Sequence, residues 1–399
     1  GIDAVLQNGT VVHANATQYE DLLWIARGGG GDSFPGIVTA FHFNLIKVPP
    51  MITEYHAEWT DLWSMNETGA NYEKGIRIFK MWQDEYAAHP DWRVYARITL
   101  YPYDNKFNMD FKFIGMTQEE AEPLVPKPSD EDKWAPTSGS WASKTYLRSM
   151  REGGGIGVSW NKCPSWDPNY TAEEWEARLR AEMLREEGPW CAIDSGFEEN
   201  YIYRSMVISR MSDQAIDHFI QFVASAPYFD DDSWKFYLSI DPTNGFAATI
   251  APDATPYPHR GPTEMTMQVI SKWGPADAQI VGENPRGRAV LQAYNYLLVA
   301  SLQPYVGTRA YYNYLDFDMP GGVSPAQAYF GQNRERVIAI RQKYVDQRLP
   351  VDLDRINIYS AFDRPRPPIT NTTLLPWVLQ PTRLGMLESV QPTQRALAA

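Results

Sequence analysis

The chain has 399 residues, 44% hydrophobic and 21% charged, with a net charge of −13. That length accommodates two domains or one with a sizeable core, and the acidic balance argues against a nucleic-acid partner, whose phosphates are bound by Lys and Arg. No run approaches the roughly 18 apolar residues of a membrane helix, so no membrane span is expected. Aromatic residues make up 13%, with 14 Trp and 23 Tyr. Cores and strand faces account for most of them, and a minority suits a pocket for a flat or sugar-like ligand.

The chain opens on GIDAVLQNGTVVHA, read as a strand and hairpin turning at Asn8–Gly9. Glu20 to Ala26 reads as a short amphipathic helix, with Leu22, Leu23, Ile25 and Ala26 apolar behind an acidic first turn. Gly28 to Gly31 break it, and GIVTAFHFNLIKV after Pro35 reads as a strand. A helix before the glycines and a strand after them is the wrong polarity for a Rossmann or P-loop phosphate cradle. Pro49 and Pro50 mark a boundary. MITEYHAEWT (51–60) and WRVYARITLYPY (92–103) alternate as strands around a helix at 72–89, where Ile76, Phe79, Trp82 and Tyr86 share one face. FNMDFKFIGMT is another strand, and Thr117 with Glu120 makes a capping box for the next helix. Residues 126–143 read as a polar, Pro-rich loop and 171–187 as a charged, solvated helix. YIYRSMVISR is a strand, Ser212 caps a helix, and WKFYLSID with GFAATIAP reads as a strand pair. Helices AVLQAYNYLLVASLQPYV and AYFGQNRERVIAIRQKYV flank GTRAYYNYLDFD. This order predicts an α+β fold, an antiparallel sheet backed by helices. Residues 363–399, Pro-rich at their start and aperiodic, predict a flexible tail.

Few of these residues announce chemistry on their own. His13, His42, His56, His89, His218 and His259 show no HExxH or other close ligand pairing, so no metal site is predicted. G-x-S-x-G is absent, and Asp230 to Asp232 read as a solvated turn. Cys163 and Cys191 allow one disulfide. Asn8, Asn15, Asn66, Asn169 and Asn371 each open an Asn-x-Thr sequon, which points to a secreted eukaryotic protein. Read alone, Tyr311 to Tyr314 form an aromatic strand packed on a core, and an ideal strand turns Asn313 and Tyr314 to opposite faces. The opening strand lacks sheet partners upstream, so a fragment of a longer protein is expected.

Taken in order, the Asn-Gly turn, DLLWIARGGGG and FPGIVTAFHF resemble the end of the PCMH-type FAD-binding domain of the vanillyl-alcohol-oxidase superfamily. Within it the chain resembles the berberine-bridge-enzyme-like FAD-linked oxidases; Pro35 is a variant of their Phe-Gly-Ile-Val-Thr. DATPYPHRGPTEMTMQVISKW and GTRAYYNYLDFD carry the resemblance on, across residues 2–362. It implies the C-terminal part of the FAD-binding domain at 1–49, a substrate-binding domain at 50–300 and a segment returning to the flavin domain at 301–362. The implied cofactor is FAD, met by Gly36, Ile37, Val38 and Thr39 on its adenine side and by Tyr311 and Asn313. Tyr314 is implied as the base that takes the substrate proton, with Arg309 and the flavin itself both candidates to stabilise its phenolate. His259 and Arg260 border the implied pocket, a structural ion pair being the alternative. The upstream Gly-Gly-His flavin loop of family members does not occur in this sequence. The resemblance implies hydride transfer from a sugar, alkaloid or other small metabolite to FAD, then to molecular oxygen. A flavin-free binding protein and a carbohydrate-active hydrolase remain open.

Overall fold

Alternating apolar residues and an Asn-Gly turn build the first unit. In the computed structural model β1 (Ile2–Leu6) pairs antiparallel with β2 (Val11–Ala14), with Gly9 at positive φ in the turn. α1 (Glu20–Ala26) buries Leu22, Trp24 and Ile25, and β3 (Gly36–Phe41) returns to β1, giving the order β2-β1-β3. The structure describes residues 1–149 except 31–32, 46, 67–68, 130–131 and 147–148, and residues 199–344 except 228–233, 276–284, 315 and 317–318. Both cysteines, the helix at 171–187, Asp230 to Asp232, the sequons at Asn169 and Asn371, and the tail at 363–399 lie outside the described residues.

The second unit is a seven-stranded antiparallel sheet. After β4 (Met51–Thr60), a small hairpin of β5 (Ser64–Asn66) and β6 (Gly69–Asn71) leads into α2 (Glu73–Glu85). β7 (Val94–Tyr101), β8 (Lys106–Ile114), the short α3 (Gln118–Ala121) and β9 (Ser138–Thr145) follow. The rest is β10 (Glu199–Ile208), α4 (Asp213–Ala224), β11 (Trp234–Pro242), α5 (Gly245–Thr249), β12 (Met265–Pro275) and α6 (Pro285–Val306). The strand order is β10-β12-β11-β7-β8-β4-β9. α7 (Pro325–Phe330) and α8 (Arg334–Tyr344) close the described chain.

The cores follow from these patterns. α2, α4 and α6 cover one face of the large sheet, over Ala96, Ile98, Leu100, Phe107 and Met109, all fully buried. On α2, Phe79 and Trp82 are fully buried, and the Trp82 indole donates to Ala96 O at 2.8 Å, fastening helix to strand. Both expected caps form: Thr117 and Glu120 exchange bonds, and Ser212 Oγ accepts from Ala215 N. A second core joins Ile2, Leu22, Ile25 and Phe34 to Tyr312, Tyr329, Phe330 and Val337, from the far part of the chain.

Four segments differ from the sequence reading, each for want or supply of a neighbour. β3 stops at Phe41 because its partner β1 ends at Ile2, beyond which Gly1 and His42 exchange the last bonds. GFAATIAP is no strand: β11 already pairs on both edges with β12 and β7, so the chain coils into α5 instead. Conversely, β9 forms within the supposed polar loop because it satisfies the outer edge of β4. The closing helix splits between α7 and α8 at Gly331, which takes φ 45°.

Candidate active-site cleft

The glycine loop after α1 sets one wall of a cleft. Gly28 has φ 137° and Gly30 φ 74°, conformations that an L side chain resists. A Cβ on Gly30 would sit 1.6 Å from the Tyr312 ring, so the ring rests directly on the loop backbone. Gly36, Ile37 and Val38 at the start of β3 continue this wall.

The facing wall comes from residues more than 200 positions later in the chain. Residues 309–311 run beside β10, with Val207 N donating to Arg309 O at 2.8 Å and Tyr311 N donating to Ser205 Oγ at 2.9 Å. The backbone then turns, Tyr314 N reaching Tyr311 O at 3.1 Å. The aromatic strand expected here is therefore a turn, which frees Asn313 and Tyr314 from opposite-face geometry. Tyr312 is buried, Asn313 is exposed with Nδ2 donating to the Tyr311 hydroxyl at 2.7 Å, and Tyr314 is half-buried.

A cleft of about 650 Å³ lies between these walls. It brings together Gly36, Ile37, Val38, Tyr311, Asn313 and Arg260 with Gly28, Gly30, Phe34 and Tyr257. Among the described residues Arg260 is the one charged side chain in the lining; its Nε donates to Tyr257 O at 3.0 Å and another N–H reaches Thr255 Oγ1. Burial and neighbouring Arg27 lower its pKa, and a guanidinium keeps its charge under such a shift.

Four of the residues singled out in the sequence stand outside that lining. Thr39 donates through Oγ1 to Asp3 O at 3.2 Å. His259 is buried and its Nε2 donates to Ala328 O at 2.7 Å. Burial pushes its pKa down to about 4, so the ring is neutral at pH 7. Tyr314 stacks on Tyr203 with centroids 5.9 Å apart and lies 5.4 Å from Tyr311. Burial first, then the charge of Asp241, raise the pKa of its hydroxyl. Arg309 is engaged elsewhere, with Glu264 at 2.8 Å and Ser209 Oγ at 2.7 Å.

Beyond Tyr314 extends the face of the large sheet opposite the one that α2, α4 and α6 cover. Tyr95 donates to Asp241, Arg97 meets Asp110 at 3.2 Å, and His56 Nδ1 lies 2.7 Å from the same carboxylate. Tyr101 and Tyr237 stack at 5.8 Å. Burial raises the pKa of Asp241 in spite of its bond from Tyr95. Sequence reading overlooked this polar and aromatic face. Its signal is the period of two in VYARITLY, where Ala96, Ile98 and Leu100 point inwards and Tyr95, Arg97 and Tyr101 outwards.

No protein-family model matches the chain. A glucooligosaccharide oxidase from Sarocladium strictum is 22% identical over 361 residues, covering 86% of this chain and 60% of its own length. A xylooligosaccharide oxidase from Thermothelomyces thermophilus is 35% identical over 82 residues, 20% of this chain and 15% of that one. Among solved structures, wild-type BBE-like 1 of Physcomitrella patens superposes with a TM-score of 0.59 at 20% identity, over 87% of this chain and 62% of that one. The chain thus spans about 60% of the length of the Sarocladium oxidase. Its relatives and structural neighbours are berberine-bridge-enzyme-like and glucooligosaccharide FAD-linked oxidases, and it has their α+β fold.

Proposed function

We propose that this chain forms one wall of the flavin site and the substrate face of an FAD-linked oxidase acting on a carbohydrate. The observation that carries this reading is the cleft where the glycine loop, Gly36 to Val38 and Tyr311 to Asn313 converge beside Tyr314. The lining suits a flat, anionic cofactor: glycines leave backbone open to close approach, Tyr257 and Tyr311 offer rings, and Arg260 supplies charge. FAD, when bound, supplies the hydride acceptor and the route for electrons to molecular oxygen.

The chain's own groups divide the remaining work. Main-chain groups of Gly36 to Thr39 would back the adenine side, and Tyr311 with Asn313 would flank the ring system. Tyr314 would take the proton that leaves the substrate hydroxyl. With its pKa raised by burial and Asp241, it is a phenol at neutral pH and becomes a base only when cofactor or substrate brings a hydrogen-bond donor against it. The tyrosines and carboxylates of the sheet face beyond Tyr314 supply stacking and hydrogen bonds suited to sugar rings. His259 stays neutral and holds the pocket border to α7. The relatives named for oligosaccharide oxidation favour the carbohydrate class. Sequons at Asn8 and Asn15, on the turn after β1 and just past β2, support a secreted glycoprotein.

The test uses the full-length gene product. Flavin absorbance with hydrogen peroxide release on oligosaccharides is expected; sugar hydrolysis without flavin would replace the reading with a hydrolase. In that protein, Tyr314→Phe keeps the ring and removes only the hydroxyl. Flavin content should persist while stopped-flow flavin reduction slows roughly 10²–10⁴-fold, the range of general-base catalysis. Reduction at the wild-type rate would leave Tyr314 a packing residue.

A further inference from the structure

Away from the cleft, three polar residues distant in sequence meet on the outer face of the small sheet. The order β2-β1-β3 puts β1 in the middle. Asp3 stands directly opposite His13 on β2 and opposite Ala40 on β3. Its neighbours Ile2 and Ala4 are fully buried, so alternation turns Asp3 outwards. His42 follows Ala40 by two residues, which returns it to the same side. A bulge in the β1–β3 pairing, between Asp3 and Ala4, re-aims the strands at this point. One Asp3 carboxylate oxygen bonds His13 Nδ1, and the other lies 3.0 Å from His42 Nε2. The three donor atoms all lie within 4.8 Å of one another.

We propose that Asp3, His13 and His42 form a binding site for a divalent transition cation of the zinc type. Two imidazole nitrogens and one carboxylate oxygen are the donors that zinc, copper or nickel take, whereas magnesium and calcium prefer oxygen throughout. Metal–ligand distances of about 2.0–2.2 Å keep any two donors within about 4.4 Å of each other. The side chains of His13 and His42 are 57% and 49% exposed, so small ring rotations close that gap without moving the core. A fourth position stays open to water, and the net charge of −13 draws cations to the chain. The ion would tie β2, β1 and the exit of β3 together. Because His42 follows Phe41, which lines the cleft, it would also brace that wall from outside.

The experiment is calorimetric titration of the full chain, free of affinity tags, with zinc alone and with magnesium alone. One saturable zinc site is expected and none for magnesium; cobalt in place of zinc should show the visible bands of a low-coordinate N/O site. Loss of a supporting residue around a metal already weakens binding about 10–100-fold, so His13→Gln and His42→Gln should each weaken zinc by at least that much. Circular dichroism in chelator checks that these exposed substitutions leave the fold intact. Zinc should raise the melting temperature of the parent and leave that of the double His13→Gln/His42→Gln variant unchanged. Absence of saturable zinc binding, or equal affinity in parent and variants, would overturn the site and leave a hydrogen-bonded surface cluster.

Discussion

The large core under α2, α4 and α6 and the small core around β1 differ in where their residues come from. The first draws on Tyr55 to Val306 as one continuous stretch, with Trp59, Trp82, Phe107 and Phe219 fully buried. The second joins residues 2–34 to residues 310–344, so its closure waits on the whole chain. The cleft borders the second core, whose Phe34 and Tyr312 line it together with the glycine loop, Tyr257, Tyr311 and Asn313. Such a division is physically reasonable: continuous sheet-and-helix packing carries stability, while a seam of loops and turns can hold special backbone conformations for a ligand.

Four substitutions and one control sharpen that contrast. The largest effect belongs to Trp82→Ala, which empties the large core and removes the bond to Ala96 O. A loss of about 3–5 kcal/mol is expected from urea unfolding, and a loss below 1 kcal/mol would show that this core does not dominate. Next comes His259, which pins the loop before β12 to α7 across the seam. Its pKa falls from 6.5 to about 4 on folding, through burial and Arg309, with Glu264 and the bond to Ala328 O acting the other way. The unfolded chain therefore takes the proton first. The stability it contributes is complete above pH 6.5 and is lost as pH falls towards 4, on the order of 3 kcal/mol in all. His259→Gln should remove that part of the acid sensitivity when unfolding is compared at pH 7.5 and 4.5; an unchanged pH slope would assign the sensitivity to carboxylates.

A smaller effect is expected for Gly30→Ala, which combines positive φ with a Cβ driven into the Tyr312 ring. The cost should be about 1–3 kcal/mol, with a change in near-ultraviolet circular dichroism from the displaced ring. Gly9→Ala is its control: φ is also positive there, and no atom lies within 4 Å of the added Cβ. If both cost the same, crowding by Tyr312 is not what shapes the loop. The smallest change should follow Asp21→Asn, which loosens the contacts of α1 with Lys343 and Tyr344 at 2.8 and 2.9 Å. Lys343 is exposed and Asp21 and Tyr344 are only partly buried, so less than about 1 kcal/mol is expected by the same unfolding assay.

The capping residues Thr117, Glu120 and Ser212 were legible in the sequence because each acts within one helical turn. So was the buried face of Phe79, Trp82 and Tyr86, which needs only helical periodicity. The glycine loop and the Tyr311 to Tyr314 segment stood out as candidates through resemblance, yet nothing local placed them against each other. His259 and Arg260 are adjacent in sequence and part company in space, one buried against α7 and the other lining the cleft. Asp3, His13 and His42 showed no ligand spacing, because cross-strand neighbours need no fixed separation along a chain.

By itself the sequence determined the strands and helices whose signals are short-ranged: caps, an Asn-Gly turn, periods of two and of 3.6 residues. Tertiary structure alone decided which of those signals found partners. β3 ended where β1 ended, GFAATIAP coiled because β11 had no edge left, and β9 became a strand because β4 had one to offer. The turn at Tyr311 to Tyr314, and with it the cleft, likewise depended on β10 and on the glycine loop at the other end of the chain. The reason is that a backbone hydrogen bond in a sheet, or a wall of a pocket, belongs to two segments at once, and no single window of sequence contains both.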